Sequence, residues 1–115
     1  MIAREEDLVR QSMEMIALTD VSERPFVTRN GVPFGTRIRR ALFSPPDVAG
    51  DIVRFELKRA FDLWEPRVIV EFVTAEQTRD ATGSVAIVSN TFYRFRSTNR
   101  SDNYVLPFRL SSVGA

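Results

Sequence analysis

The hydrophobic pattern of this chain changes period at one point, and few folds accommodate that change. Up to Trp64 the apolar residues Val53, Leu57, Ala60, Phe61 and Trp64 fall at i, i+4, i+7, i+8 and i+11, with Ile52 and Phe55 widening the stripe. Arg54, Glu56, Lys58, Arg59 and Asp62 form its polar complement. This spacing predicts an amphipathic helix over residues 47–64, opened by Ser44-Pro45-Pro46-Asp47, which offers a capping serine, prolines in the first turn and an acid. After Trp64-Glu65-Pro66-Arg67 the chain alternates. Val68, Val70 and Phe72 share one face and Ile69, Glu71 and Val73 the other, as in a strand. A residue before proline is pushed out of the α region, so Glu65 is the last possible helical residue and Pro66 directs the chain into extended structure.

The remaining elements follow from the same two periods. Val9, Met13, Ile16 and Ala17, supported by Leu8, predict a first helix over 4–18, with acids in its first turn. Residues 19–35 read as irregular, because Pro25, Asn30-Gly31, Pro33 and Gly35 break any period, with Phe26, Val27 and Phe34 as apolar anchors. A short helical turn is expected at 36–42. Three strands are expected at 67–75, 84–95 and 104–110. In the third, Tyr104, Leu106, Phe108 and Leu110 alternate with Val105, Pro107 and Arg109, and Pro107 favours an edge position. The expectation is a single α+β domain over 1–115, with two main helices packed on one face of a small three-stranded antiparallel sheet.

Composition narrows the chemistry. At 115 residues and 43% hydrophobic content the chain suits one packed core. Cysteine and histidine are both absent. Disulfides, thiolate or imidazole metal sites, histidine general bases and Ser-His-Asp arrangements are thereby excluded, and no cofactor is expected. No apolar run approaches the ~20 residues needed to span a bilayer, and Glu5, Glu6 and Asp7 near the start do not suit a signal peptide. A soluble protein made in a cytosol, with no membrane partner, is expected. Fifteen of the sixteen basic residues are arginine, a skew that leans toward interfaces and equally fits codon bias.

Two surfaces stand out. Glu65 and Arg67 sit on a stiff turn, where charges displayed at the junction could meet a partner with little entropy loss; the plainer alternative is that they bond to each other or to local backbone. The last strand could accept a partner strand along its edge, unless the C-terminal residues or a loop shield it.

The chain also resembles a known family. The landmarks, in order, are Val9-Arg10-Gln11-Ser12, Ala17-Leu18-Thr19, Glu23-Arg24, Pro33-Phe34-Gly35, Leu42-Phe43-Ser44-Pro45, Trp64-Glu65-Pro66-Arg67 and Val105-Leu106-Pro107-Phe108. They resemble the small baseplate wedge proteins of contractile-tailed phages, the gene-twenty-five-like or GPW family, over roughly Leu8 to Leu110. The Glu-Pro-Arg triplet between helix and strand is the most specific element. The resemblance implies a sheath initiator, present in about six copies around a symmetric baseplate. Its partners would be other wedge subunits and the tail sheath protein, near tube or hub proteins. Its location would be the virion tail baseplate, assembled in the host cytoplasm, and type VI secretion machines use a similar component. Carried over by residue, Trp64, Glu65, Pro66 and Arg67 would contact the wedge. Tyr104, Val105, Leu106, Pro107, Phe108 and Arg109 would contact sheath. The stretch between Glu23-Arg24 and Pro33-Phe34-Gly35 is longer than the family pattern, which leaves Arg29, Asn30 and Gly31 without a carried-over role.

Some members of that family have carried a lysozyme label. A glycosidase needs two carboxyl groups about 5–10 Å apart across a sugar cleft, one with a raised pKa. Only Glu65 and Glu71 pair at all, and the tyrosines and tryptophan are committed to the core pattern, so no enzymatic activity is expected. Nucleic-acid binding through Arg37, Arg39 and Arg40 is not expected either, since net charge is +1 and aromatics do not interleave with the basic run.

Overall fold

The computed structural model describes residues 5–24, 26–42, 44–79, 81, 83 and 85–109. Their order is α1 (Glu5–Leu18), β1 (Thr28–Arg29), β2 (Val32–Pro33), α2 (Arg39–Leu42), α3 (Pro46–Trp64), β3 (Val68–Arg79), β4 (Val85–Phe95) and β5 (Ser101–Arg109). The architecture is α+β. Beside the two main helices, α1 and α3, and the expected antiparallel meander β3-β4-β5, the described residues form a short helix, α2, where a helical turn was expected, and a separate hairpin, β1-β2, which was not. That hairpin lies in the segment expected to be irregular. Asn30 and Gly31 both take positive φ, 54° and 75°, the backbone that closes a two-residue hairpin turn.

The core lies between the helices and one face of the meander. Val9, Met13, Ile16 and Ala17 of α1 meet Ala49, Val53, Leu57, Ala60 and Phe61 of α3 over Ile87, Tyr93 and Phe95 of β4. Two residues of the predicted stripes fall outside it. Phe55 is 65% exposed and Leu8 is also exposed, because the buried arc of α3 is centred on Val53, Leu57 and Ala60 and that of α1 on Val9, Met13 and Ile16. On the far side of the α3 arc Glu56 is buried instead of solvated; its carboxylate accepts the Arg37 backbone N–H (2.7 Å) and a bond from Arg59 (2.8 Å) beside α2.

Register also corrects the strand pattern. β3 pairs with β4 from Val68↔Phe95 to Val70↔Tyr93, then resumes at Phe72↔Phe92, so Glu71 is the extra residue of a β-bulge. The phase flips there. Val68 and Val70 face the helices, whereas Phe72 turns to the outer face and stacks on Phe92 with centroids 4.5 Å apart. β4 is central, which leaves β3 and β5 as the sheet edges.

Loop 19–36 is held close to the core by Gly35. Its φ of 111° suits glycine, and a Cβ there would collide with the Thr19 carbonyl, which accepts the Thr36 N–H at 2.9 Å. Leu110 and the five residues after it, named above among strand and shielding residues, lie outside the described residues.

Candidate functional site

The corner after α3 is built from residues that cannot continue a helix. Glu65 donates the last helical hydrogen bond, to the Phe61 carbonyl at 2.9 Å, and then leaves the α region at φ −122°, ψ 81°, as a residue before proline must. Its side chain turns inward. Glu65 is only 1% exposed, so of the two readings of this turn the plainer one holds: the charges bond to each other and to local backbone, the carboxylate is buried, and only the arginine is displayed. Arg67 Nε and Nη2 donate to the two carboxylate oxygens at 2.8 and 3.0 Å, the Arg67 backbone N–H adds 3.2 Å, and Ser12 of α1 lies beside the carboxylate. The Arg67 side chain stays 41% exposed.

Burial alone pushes the Glu65 carboxyl up, but the bonds from Arg67, with Ser12 beside them, outweigh it and hold the group below its ordinary 4.5. Fully paired burial makes Glu65 a bracket: it fixes one end of the Arg67 fork and points the rest outward.

Two other segments brace the turn. Arg96 donates its Nε–H to the Pro66 carbonyl at 2.8 Å and its backbone N–H to the Arg67 carbonyl at 3.0 Å. The β1-β2 hairpin closes on the helix end. Arg29 donates to the Leu63 carbonyl at 2.7 Å and lies 4.8 Å over the Trp64 ring, which meets Phe34 edge-on at 5.0 Å. The last turn of α3 contains no basic residue, so Arg29 supplies from another segment the cation that a helix C-terminus favours. Trp64 is half-buried, with its indole N–H enclosed and without a partner among the described residues, and Pro66 is exposed. Arg24, Arg29, Arg67 and Arg96 are all exposed around the corner, with the Glu5 carboxylate acting on Arg67 from α1. Sequence reasoning assigned nothing to Arg29 or Arg96; only the Asn30-Gly31 turn signal could have pointed to the hairpin that carries the first.

The strand proposed for sheath contact is mostly committed inward. Tyr104 is buried, and Leu106 and Phe108 pack against the core, so of Tyr104 to Phe108 only Val105 and Pro107 face solvent. Pro107 and Phe108 also line a cavity of about 310 Å³ with Leu18, Ile38 and Arg39. The backbone of Arg109 pairs with Ala86.

A larger groove of about 720 Å³ lies between α3 and β3. Phe55, exposed on α3, and Phe72, 52% exposed on β3, line it with charged neighbours, Glu71 among them. Glu65 does not line it, so the two glutamates paired on paper face different surroundings. Among the described residues no His, Cys, Asp or Glu cluster could hold a metal ion, and no described helix is long and apolar enough to cross a membrane.

Comparison with protein-family models gives no match, nor does comparison with curated proteins. Among solved structures, the chain is similar to a Geobacter sulfurreducens protein provisionally named a tail lysozyme, solved at 1.44 Å. The two share 33% identity with a TM-score of 0.79, over 97% of this chain and 96% of that one. That name is an enzyme's, and it overturns the expectation that the chain has no enzymatic activity.

Proposed function

We propose a function from the premise that this chain belongs to the family of the Geobacter sulfurreducens tail protein. It is a component of a contractile phage tail, of the gene-twenty-five-like kind, that joins the baseplate wedge through its arginine-bearing corner and initiates the sheath. One observation carries the reading: Arg67 is locked by a buried carboxylate yet keeps an exposed guanidinium edge. Such a group loses little freedom on binding and can take a second planar, bidentate contact. Arg24, Arg29 and Arg96 around it favour an acidic face on the wedge partner. Trp64 and Pro66 supply the apolar part of the same surface.

Removing the protein from the producing cell tests this reading. Tails that carry tube without ordered sheath, restored by supplying the protein, are the expected outcome. Normal sheathed tails in its absence would contradict it.

The relative's name favours a second reading, cleavage of peptidoglycan. Glu65 does not suit the general acid, since its pKa is lowered where that role needs it raised. The α3-β3 groove has carboxylates on both walls, Asp51 and Asp62 opposite Glu71, and is where glycan would fit. Release of soluble fragments from purified peptidoglycan, lost in Glu71→Gln, would establish this activity.

A further inference from the structure

α1 carries two apolar stripes. Val9, Met13, Ile16 and Ala17 are buried in the core, whereas Leu8, Met15 and Leu18, at i, i+7 and i+10, are 43%, 55% and 58% exposed on another side of the helix. That spacing is the one by which one helix packs along another, with Gln11 in the remaining position. Exposed hydrophobic residues scattered singly need no explanation. Three in register along roughly 15 Å of one helix form a surface, and Met15 gives it an adaptable centre.

The stripe ends at a cavity. Leu18 lines the cavity of about 310 Å³ together with the core residues Ala17 and Ile38 and with Phe108. A helix laid along Leu8 and Met15 would therefore bring one large side chain to the cavity at its end, as an anchor enters a pocket.

Charge selects the occupant. Asp7 and Glu14, seven positions apart and both exposed, run along one border of the stripe. Asp20 and Glu23 line the cavity against a single arginine, Arg39. None of these four acids has an ion-pair partner among the described residues. Arg10, the one basic residue of α1, is taken up by Asp102. A second copy of α1 would set acids against acids, and an anionic lipid surface would be repelled. A helix whose apolar stripe is flanked by Lys or Arg matches both the seam and its border.

We infer that this face of α1, with the cavity at its end, docks a basic amphipathic helix of another protein. The helix covers Leu8, Met15 and Leu18, places its largest apolar side chain in the cavity and sets its cations against Asp7, Glu14 and the cavity acids. The contact is separate from the corner, toward which α1 presents Ser12 and Glu5, and it does not depend on the wedge reading.

Binding of two designed peptides to the isolated chain tests the inference. Both are hydrocarbon-stapled helices with the same leucine stripe, flanked in one by lysine and in the other by glutamate. The lysine peptide is expected to bind at least about tenfold more tightly. Met15→Gln and Leu18→Gln, at exposed positions that leave the melting curve unchanged, are each expected to weaken it about tenfold. In Asp7→Lys/Glu14→Lys the preference is expected to reverse toward the glutamate peptide. Equal affinity for the two peptides, binding of neither, or affinity untouched by Met15→Gln and Leu18→Gln would overturn the inference. A parent that dimerises in sedimentation, with Leu18→Gln monomeric, would also overturn it and assign the face to a second copy.

Discussion

The corner at Glu65-Pro66-Arg67 and the groove between α3 and β3 flank the same helix, yet they are finished to different degrees. At the corner every polar group of the carboxylate is met from within the chain, and three segments brace one turn. In the groove the strand edge is unpaired, two phenylalanines face solvent and one glutamate lacks an ion-pair partner among the described residues. One small domain thus carries a finished surface and an unfinished one on either side of a single helix. A preformed, rigid cation suits a partner met as a finished surface. An open edge suits a partner that orders itself on arrival. The corner should therefore be sensitive in stability, and the groove should not.

The largest expected effect lies beneath the corner. Phe61 is fully buried and its carbonyl receives the last helical bond, so Phe61→Ala should cost about 3–5 kcal/mol in chemical denaturation. A loss below about 1 kcal/mol would mean that the corner has no packed foundation.

Glu65→Gln comes next, at about 2 kcal/mol, because it removes the charge that Arg67 bonds and leaves its donors poorly met. Its pH dependence has a definite sign. The folded-state pKa lies below the ordinary 4.5, so the stabilisation is fully present above that value and is lost as pH falls through the folded pKa. Thermal melts of the parent should fall on acidification below about pH 4.5 more steeply than those of Glu65→Gln, and parallel curves would remove the buried pair from the account.

A smaller change, about 1 kcal/mol, is expected for Arg29→Ala, which loses a cation over Trp64 and a bond to the Leu63 carbonyl. Trp64 is the sole tryptophan, so its emission should shift as the hairpin loosens. An unchanged spectrum would show that the hairpin does not brace the corner. Smallest of all is Phe55→Asp in the groove, within about 0.5 kcal/mol of the parent by denaturation. A large loss would place Phe55 in the core, as its helical spacing suggested.

Much of this architecture was legible in the chain. The helical stripe through Val53, Leu57 and Phe61 and the alternation through Ile87, Tyr93 and Phe95 each repeat often enough to fix an element and a face. What escaped depends on single residues or on distant partners. Asn30-Gly31 is a hairpin signal, but the two-residue strands beside it carry no alternation to read. One extra residue at Glu71 inverts the face of everything after it, and alternation alone does not reveal an insertion. Glu56 reads as a surface charge because its partner, the Arg37 N–H, lies 19 positions away, and the pairing of Glu65 with Arg67 could be read from their spacing whereas its burial against α1 could not. At the candidate site, Trp64 to Arg67 could be picked out by the period change, while the division of labour between a hidden Glu65 and a displayed Arg67 required the fold.

A single substitution, Arg67→Lys, separates the hidden Glu65 from the displayed Arg67. Alanine would strand the buried carboxylate, whereas lysine keeps a cation against Glu65 and removes only the planar fork. The measurement is incorporation of the variant into tail baseplates, alongside its melting curve. Stability within about 1 kcal/mol of the parent and at least about a tenfold loss of incorporation are expected. A folded Arg67→Lys protein that enters baseplates as well as the parent would contradict that division of labour.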